Sequence, residues 1–112
     1  MRKITLAIPR GARIGPEAKP IYGYDVVEAF EERGLAVHKS LPGKRWRWMV
    51  THVQSGLCLE RIGAMTKKTA MENMRRALEL PIDWTMSEQE TIKALREDRR
   101  IMDGINAIAI HD

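Results

Sequence analysis

The sequence predicts a single α+β domain in which a small antiparallel three-stranded sheet carries helices packed on one face. Three observations predict this class. The chain of 112 residues suits one domain, and 44% of its residues are hydrophobic, which is enough for one core. Alternating and helically periodic patterns also occupy separate stretches of the chain. We expect an α-β-β-β-α core over residues 25–80, with an extra N-terminal strand and a C-terminal helix over 87–103.

The N-terminal segment predicts a short strand followed by an irregular arm. Ile4, Leu6 and Ile8 alternate with other residues, as on one face of a strand. Residues 9–24 then hold three prolines and three glycines, a composition typical of irregular chain.

The next segment, residues 25–33, is predicted to be the first helix. Asp25 followed three residues later by Glu28 has the spacing of a capping box, and Gly34 is placed to end the helix. Val26, Val27 and Phe30 would then supply its buried stripe.

Three strands are predicted after this helix, at about 35–41, 46–53 and 57–62. The turn at 42–45 carries basic residues at its tip, and Gln54-Ser55-Gly56 makes the second turn. In the middle strand Trp46 and Trp48 share one face. They are either core residues or, interleaved with arginines, a stacking platform for bases.

The remaining chain predicts two helices. Thr66 is placed to cap the first, whose amphipathic stripe is Ala70, Met71, Met74, Ala77 and Leu78, and Pro81 ends it. Ser87 and Glu90 form a capping box for the second, and 105–110 is short enough to be a final strand. The apolar positions in and just after this C-terminal helix are Ile92, Leu95, Met102 and Ile105. They suit either a packing stripe or a dimer seam, so the sequence is compatible with both a monomer and a homodimer.

The charge is unevenly distributed. The net charge is +4, but residues 39–80 hold nine Lys or Arg against three Glu. Such a segment indicates a basic face for an acidic partner, with nucleic acid first among candidates, or else an uneven solvated surface. Lys67 and Lys68 open a predicted helix, where the macrodipole disfavours cations by about 0.3–1 kcal/mol each. Two lysines beside free N–H groups suit a phosphate, and Arg75 continues this face.

The order helix, three strands, helix, with Thr66-Lys67-Lys68 and Ala70 opening the last helix and Ala77-Leu78 further along, resembles the double-stranded RNA-binding domain. The resemblance covers residues 25–80. It implies that Lys67 and Lys68 grip phosphates across a major groove and that Lys44 and Arg45 enter a minor groove. It also implies a contact of Glu28 with 2′-hydroxyl groups.

The sequence contains no recognisable catalytic or metal-binding pattern. His38, His52 and Cys58 match no zinc spacing, and the three glutamates at 28, 31 and 32 suit a solvated helix face better than an acid–base pair. A single cysteine allows no internal disulfide and fits a reducing compartment. No apolar run approaches a membrane span, so we expect a cytoplasmic protein without a cofactor.

We therefore predict a non-catalytic module that binds nucleic acid, RNA or DNA, through a basic face. Its predicted contact residues are Lys44, Arg45, Arg47, Lys67, Lys68 and Arg75. The alternative is a phage or mobile-element accessory protein, an anti-CRISPR-like inhibitor or adaptor that binds a host protein complex. Its basic face would then dock on an acidic protein surface, or the acidic residues Glu28, Glu31 and Glu32 would imitate phosphates.

Overall fold

The computed structural model describes residues 1–10, 23–41 and 46–110, and it confirms the α+β class. Four strands come first: β1 (Arg2–Arg10), β2 (Gly23–Glu32), β3 (Leu35–Lys39) and β4 (Trp48–His52). A short 3₁₀ turn and three helices follow: Glu60–Ile62, α1 (Lys67–Leu78), α2 (Glu88–Glu97) and α3 (Arg99–Ile110).

The sheet has four strands, one more than predicted, and all its neighbours are antiparallel in the order β1-β2-β3-β4. The predicted strand at 57–62 does not join this ladder. It makes one isolated bridge between Cys58 and Thr51, and the chain then turns through the 3₁₀ segment before Ala64 bridges back to Trp48. The segment therefore borders β4 without forming a regular strand.

The predicted helix at 25–33 is wrong, because these residues belong to β2. Nine residue pairs join β2 to β1, from Arg2↔Glu31 to Arg10↔Gly23, so the long hairpin satisfies the backbone groups that a helix would have satisfied locally. Arg33 and Gly34 both have positive φ, at 49° and 95°, as a two-residue type I′ turn requires. The glycine that looked like a helix end instead closes the β2–β3 hairpin.

The main core lies between one face of the sheet, which we call the front face, and the helices. Leu35 and Val37 of β3 and Val50 of β4 are fully buried on the front face, where they meet Met74 and Ala77 of α1. These α1 residues belong to the predicted amphipathic stripe. The prediction that helices pack on one face of the sheet is consistent with this arrangement.

A second core fills the back face, which no described helix contacts. Leu6 and Ile8 of β1 are 4% exposed and pack with Ala29 and Ala36. The sheet curls over this core, since a Cβ atom on Gly56 would stand only 2.4 Å from Pro9 Cδ. Pro9 and the turn beyond β4 lie at opposite corners of the sheet, and strong twisting and coiling brings such corners together.

The predicted C-terminal helix at 87–103 is two helices that break at Asp98. Asp98 has extended backbone angles, φ −104° and ψ 100°, and its carboxylate accepts the backbone N–H of Arg100 at 3.0 Å. An acceptor here satisfies a first-turn donor of α3. Residues 105–110, considered for a last strand, are helical because Ile105 and Ile108 extend the buried stripe that begins at Ile101.

Within the described ranges, none of the helices is long and apolar enough to cross a membrane. The predicted irregular arm at 9–24 falls mostly in 11–22, outside the described residues. Its two ends belong to β1 and β2.

Candidate nucleic-acid interface

Helix α1 begins where the sequence predicts it and presents two different sides. Thr66 Oγ1 accepts the backbone N–H of Thr69 at 3.2 Å, which leaves the N–H groups of Lys67 and Lys68 as first-turn donors that the helix cannot satisfy itself. Asn73 donates to the carbonyl of Ile62, so that side of α1 faces the 3₁₀ turn. The opposite side carries Lys67, Met71 and Arg75 at i, i+4 and i+8.

Lys67 is held against the front face of the sheet rather than pointing freely into solvent. Its Nζ lies 3.6 Å from the centroid of the Phe30 ring and 6.0 Å from that of Trp48. Lys39 Nζ lies 6.0 Å from the same Trp48 ring. Cation–π contacts therefore position two ammonium groups around Trp48, at the β2 side of α1.

The front face of the β1–β2 hairpin is not covered by the described helices, which pack on β3 and β4. By strand alternation this surface consists of Thr5, Ala7, Tyr24, Val26 and Glu28, and we call it the open hairpin face. Tyr24 and Val26 are 57% and 68% exposed. An uncovered sheet surface with an exposed aromatic ring therefore lies beside the cationic side of α1.

The electrostatic balance of this region is positive. Its cations are Lys3, Lys39, Lys67, Lys68 and Arg75. Three carboxylates oppose them: Glu28, whose oxygen lies 3.5 Å from Lys3 Nζ, Glu32, which shares the face of Phe30 and lies 3.9 Å from Arg33, and the exposed Glu72. Among the described residues, no carboxylate lies within 4.0 Å of Lys39, Lys67, Lys68 or Arg75, so these four charges are available to an outside anion.

Of the six predicted contact residues, the structure brings Lys67, Lys68 and Arg75 together on one side of α1. Arg47 is exposed just before β4, and strand alternation places it on the face opposite to that of Trp48. It therefore stands apart from the α1 group. Lys44 and Arg45 lie outside the described residues.

Two residues of this region were not predicted from the sequence. Tyr24 falls at the end of the predicted irregular arm, and Lys39 falls inside the predicted strand at 35–41. The alternation of Tyr24, Val26 and Glu28 is a signal for an exposed strand face, but the capping-box spacing favours a helix there. Lys39 could only be found through its cross-strand partner Trp48.

The two tryptophans of the middle strand pack against the chain. Trp48 is half-buried and contacts the main core, and Trp46 lies against Gly63, where an added Cβ would stand 2.6 Å from the indole ring. The core interpretation therefore describes both better than a free stacking platform, although Trp48 keeps one edge beside Lys39 and Lys67.

The histidines considered for metal binding or catalysis serve the fold. His38 Nδ1 donates to the Lys39 carbonyl at 2.7 Å, so Nε2 accepts from Thr51 Oγ1 at 2.7 Å. His52 Nε2 donates to the Trp84 carbonyl at 2.8 Å. Burial lowers the pKa of both imidazoles, despite these backbone hydrogen bonds, which raise it.

Cys58 lies close to one of these histidine networks, since its Sγ is 3.3 Å from Thr51 Oγ1. The described residues contain no group of three or more His, Cys, Asp or Glu side chains that could hold a metal ion. The geometry around His38 therefore joins β3 to β4 instead of presenting a base to solvent.

In comparisons with protein-family models, with curated proteins and with solved structures, the chain finds no match.

Proposed function

We propose that the protein is a binding module for nucleic acid, and that its interface is the open hairpin face together with the Lys67–Arg75 side of α1. The observation that carries this proposal is the row of α1 cations, which have no carboxylate within ion-pair distance among the described residues, beside a sheet surface that the described helices leave uncovered. Phosphates suit such cations, and an exposed ring such as Tyr24 suits the faces of bases.

The position of Lys67 supports a role in anion binding rather than that of a lysine that only contacts solvent. A lysine at the start of a helix opposes the macrodipole, and here it also gives up part of its freedom by packing over Phe30. A phosphate beside Trp48 would be attracted by the ammonium groups of both Lys67 and Lys39. The first-turn N–H groups of α1 offer further donors to phosphates at the same end of the helix.

The strongest test compares two double charge reversals that change the net charge equally. Lys68→Glu with Arg75→Glu removes charges from the proposed interface. Lys93→Glu with Arg99→Glu removes exposed charges from α2 and α3, and none of these four side chains is ion-paired within the described ranges. Each double variant takes the net charge from +4 to 0.

Binding to single-stranded and duplex DNA and RNA is measured by fluorescence anisotropy over a range of salt concentrations. We expect the slope of log affinity against log salt to fall by about two for the interface variant on a duplex, because each phosphate contact contributes about 0.9. The control variant should keep the slope of the unmodified protein. Equal losses in both variants, or no salt-dependent binding of any nucleic acid, would refute the proposal.

The partner could instead be an acidic protein surface, as for an anti-CRISPR-like inhibitor or adaptor, and the same variants distinguish the two. Pull-down after nuclease treatment would then retain a protein partner that the interface variant loses. A cytoplasmic location, expected from the single cysteine, stays a prediction.

A further inference from the structure

A second surface lies on the other side of α1, where α3 and the 3₁₀ turn contact that helix. It is a half-open groove of about 370 Å³ between residues 57–61, α2 and α3. Its apolar lining residues are Leu57, Leu59, Ile92, Leu95, Met102 and Ile105. Four of these are the positions that the sequence left open as a packing stripe or a dimer seam.

The polar groups on the groove lining are few and mainly cationic. Arg61 and Arg96 are exposed, and no carboxylate within the described ranges lies within ion-pair distance of either. Arg61 donates to Asn106 Oδ1 on α3, which uses one of its five N–H donors and fixes the guanidinium beside the groove. Glu60 is the one carboxylate on the lining, so the lining carries a net charge of +1.

We infer that this groove binds a small amphipathic carboxylate, with its alkyl chain on the leucine and isoleucine side chains and its carboxylate beside Arg61 and Arg96. The net charge of the lining matches a monoanion, and guanidinium groups match the geometry of a carboxylate. The volume falls at the lower end of small-molecule sites, which span about 300–1,000 Å³.

Two other occupants fit less well. A two-fold symmetric dimer would place this lining against a copy of itself, which brings four arginines and only two glutamates into one interface. A protein partner needs about 800 Å² of contact on each side, which extends far beyond a groove of this size.

The probe is decanoate, below its micelle concentration, and isothermal titration calorimetry measures its dissociation constant. Decyltrimethylammonium has a chain of the same length and the opposite charge, and decanol has no charge.

We expect decanoate to bind at least tenfold more tightly than either control amphiphile. Arg96→Glu should weaken decanoate at least tenfold, whereas Arg99→Glu, the same charge change outside the groove, should leave it within about twofold. Ile92→Trp, which fills the groove, should abolish binding of all three.

Equal affinity for decanoate and decyltrimethylammonium would overturn the inference, and so would equal weakening by Arg96→Glu and Arg99→Glu. So would a sedimentation coefficient that rises with protein concentration and falls again when decanoate is added, because that result would place a second copy of the chain on the groove. These outcomes are independent of nucleic-acid binding, which uses residues on the opposite side of α1.

Discussion

At the scale of single residues, the buried histidines make the fold sensitive to acid. His38 and His52 are 1% and 0% exposed, and each is neutral with both ring nitrogens hydrogen-bonded. Protonation would leave an imidazolium N–H of His52 facing Ser55 Oγ, which would have to turn its own hydrogen away. Because burial lowers the pKa of both groups in the folded state, the unfolded chain binds protons first as the pH falls.

We therefore expect the free energy of unfolding to be constant above about pH 7 and to fall as the pH drops below the unfolded value of 6.5. Each histidine contributes up to about 1.4 kcal/mol per pH unit. Urea titrations between pH 5.5 and 7.5 measure this slope, and His38→Asn, which keeps a donor near Nδ1, should reduce it by roughly half. A free energy of unfolding that does not change between pH 5.5 and 7.5 would contradict the lowered pKa of the buried histidines.

The turn residue Gly34 is a second position at which a single added atom, a Cβ, would destabilise the fold. A Cβ atom there would lie 2.3 Å from the Trp84 carbonyl oxygen, and the φ of 95° disfavours any side chain. We expect Gly34→Ala to cost about 2–4 kcal/mol, because both the turn and the backbone against it would have to move.

Gly104→Ala is the matched control for this substitution. Its Cβ would also come within 2.3 Å of an atom, but that atom is Leu80 Cδ2, at the end of a flexible side chain. The gain in helix propensity, about 1 kcal/mol, offsets the shift of Leu80, so we expect a net change within about 1 kcal/mol. Chemical denaturation of both variants measures the difference. If the two substitutions lowered the free energy of unfolding by similar amounts, the close approach of Gly34 to the Trp84 backbone would not be the cause of the destabilisation.

At the scale of elements, two helices begin at N-cap residues that the sequence alone predicts. The N-cap half of the capping box predicted for α2 forms, since Ser87 Oγ accepts the N–H of Glu90 at 3.2 Å, while Glu90 Oε1 accepts the Ser87 hydroxyl at 2.9 Å rather than the backbone N–H. The cap of α1 at Thr66 also forms as predicted. In both helices the capping residue and the backbone N–H that it accepts lie within four residues of each other in the sequence.

Ser87→Ala should therefore cost about 1 kcal/mol, because the backbone donor of Glu90 loses its acceptor. Ser87→Asp, which keeps an acceptor oxygen at the same place, should cost much less. Thermal unfolding followed by circular dichroism measures both. If the two substitutions cost the same, the cap does not stabilise α2.

The same kind of signal failed where long-range pairing competed with it. Asp25 and Glu28 also have capping-box spacing, but nine cross-strand pairs with β1 place them in β2. The capping-box spacing alone does not separate the two cases, because the residue that pairs with Val27 in the sheet is Leu6, twenty-one residues away. The break of the last helix at Asp98 was missed because the apolar stripe continues through it from Ile92 to Ile105.

At the scale of the whole molecule, what the sequence predicts is the class, the strand pair β3–β4, α1 and the cationic start of α1. The open hairpin face could not be predicted, since it exists only because α1 covers β3 and β4 and leaves β1 and β2 bare. The groove could not be predicted either, because its lining comes from three separate segments. Both sites depend on which surfaces the helices leave uncovered.

Helix α1 separates the two proposed binding surfaces. Cations and the open hairpin face lie on one side of this helix, and the apolar groove lies beyond the other. A fold with a strongly curled sheet and its helices over only half of one face leaves room for both surfaces in 112 residues.

The most direct test of the central claim is to locate a bound oligonucleotide by NMR. Amide chemical shifts of the ¹⁵N-labelled protein are followed as a single-stranded or duplex oligonucleotide is added at low salt. We expect the largest changes at Lys67, Lys68 and Arg75, at Lys39, and along the exposed face of β2 around Tyr24, with the Trp48 indole signal moving as well. Changes confined to α2 and α3, or no changes up to millimolar oligonucleotide, would contradict the proposed interface.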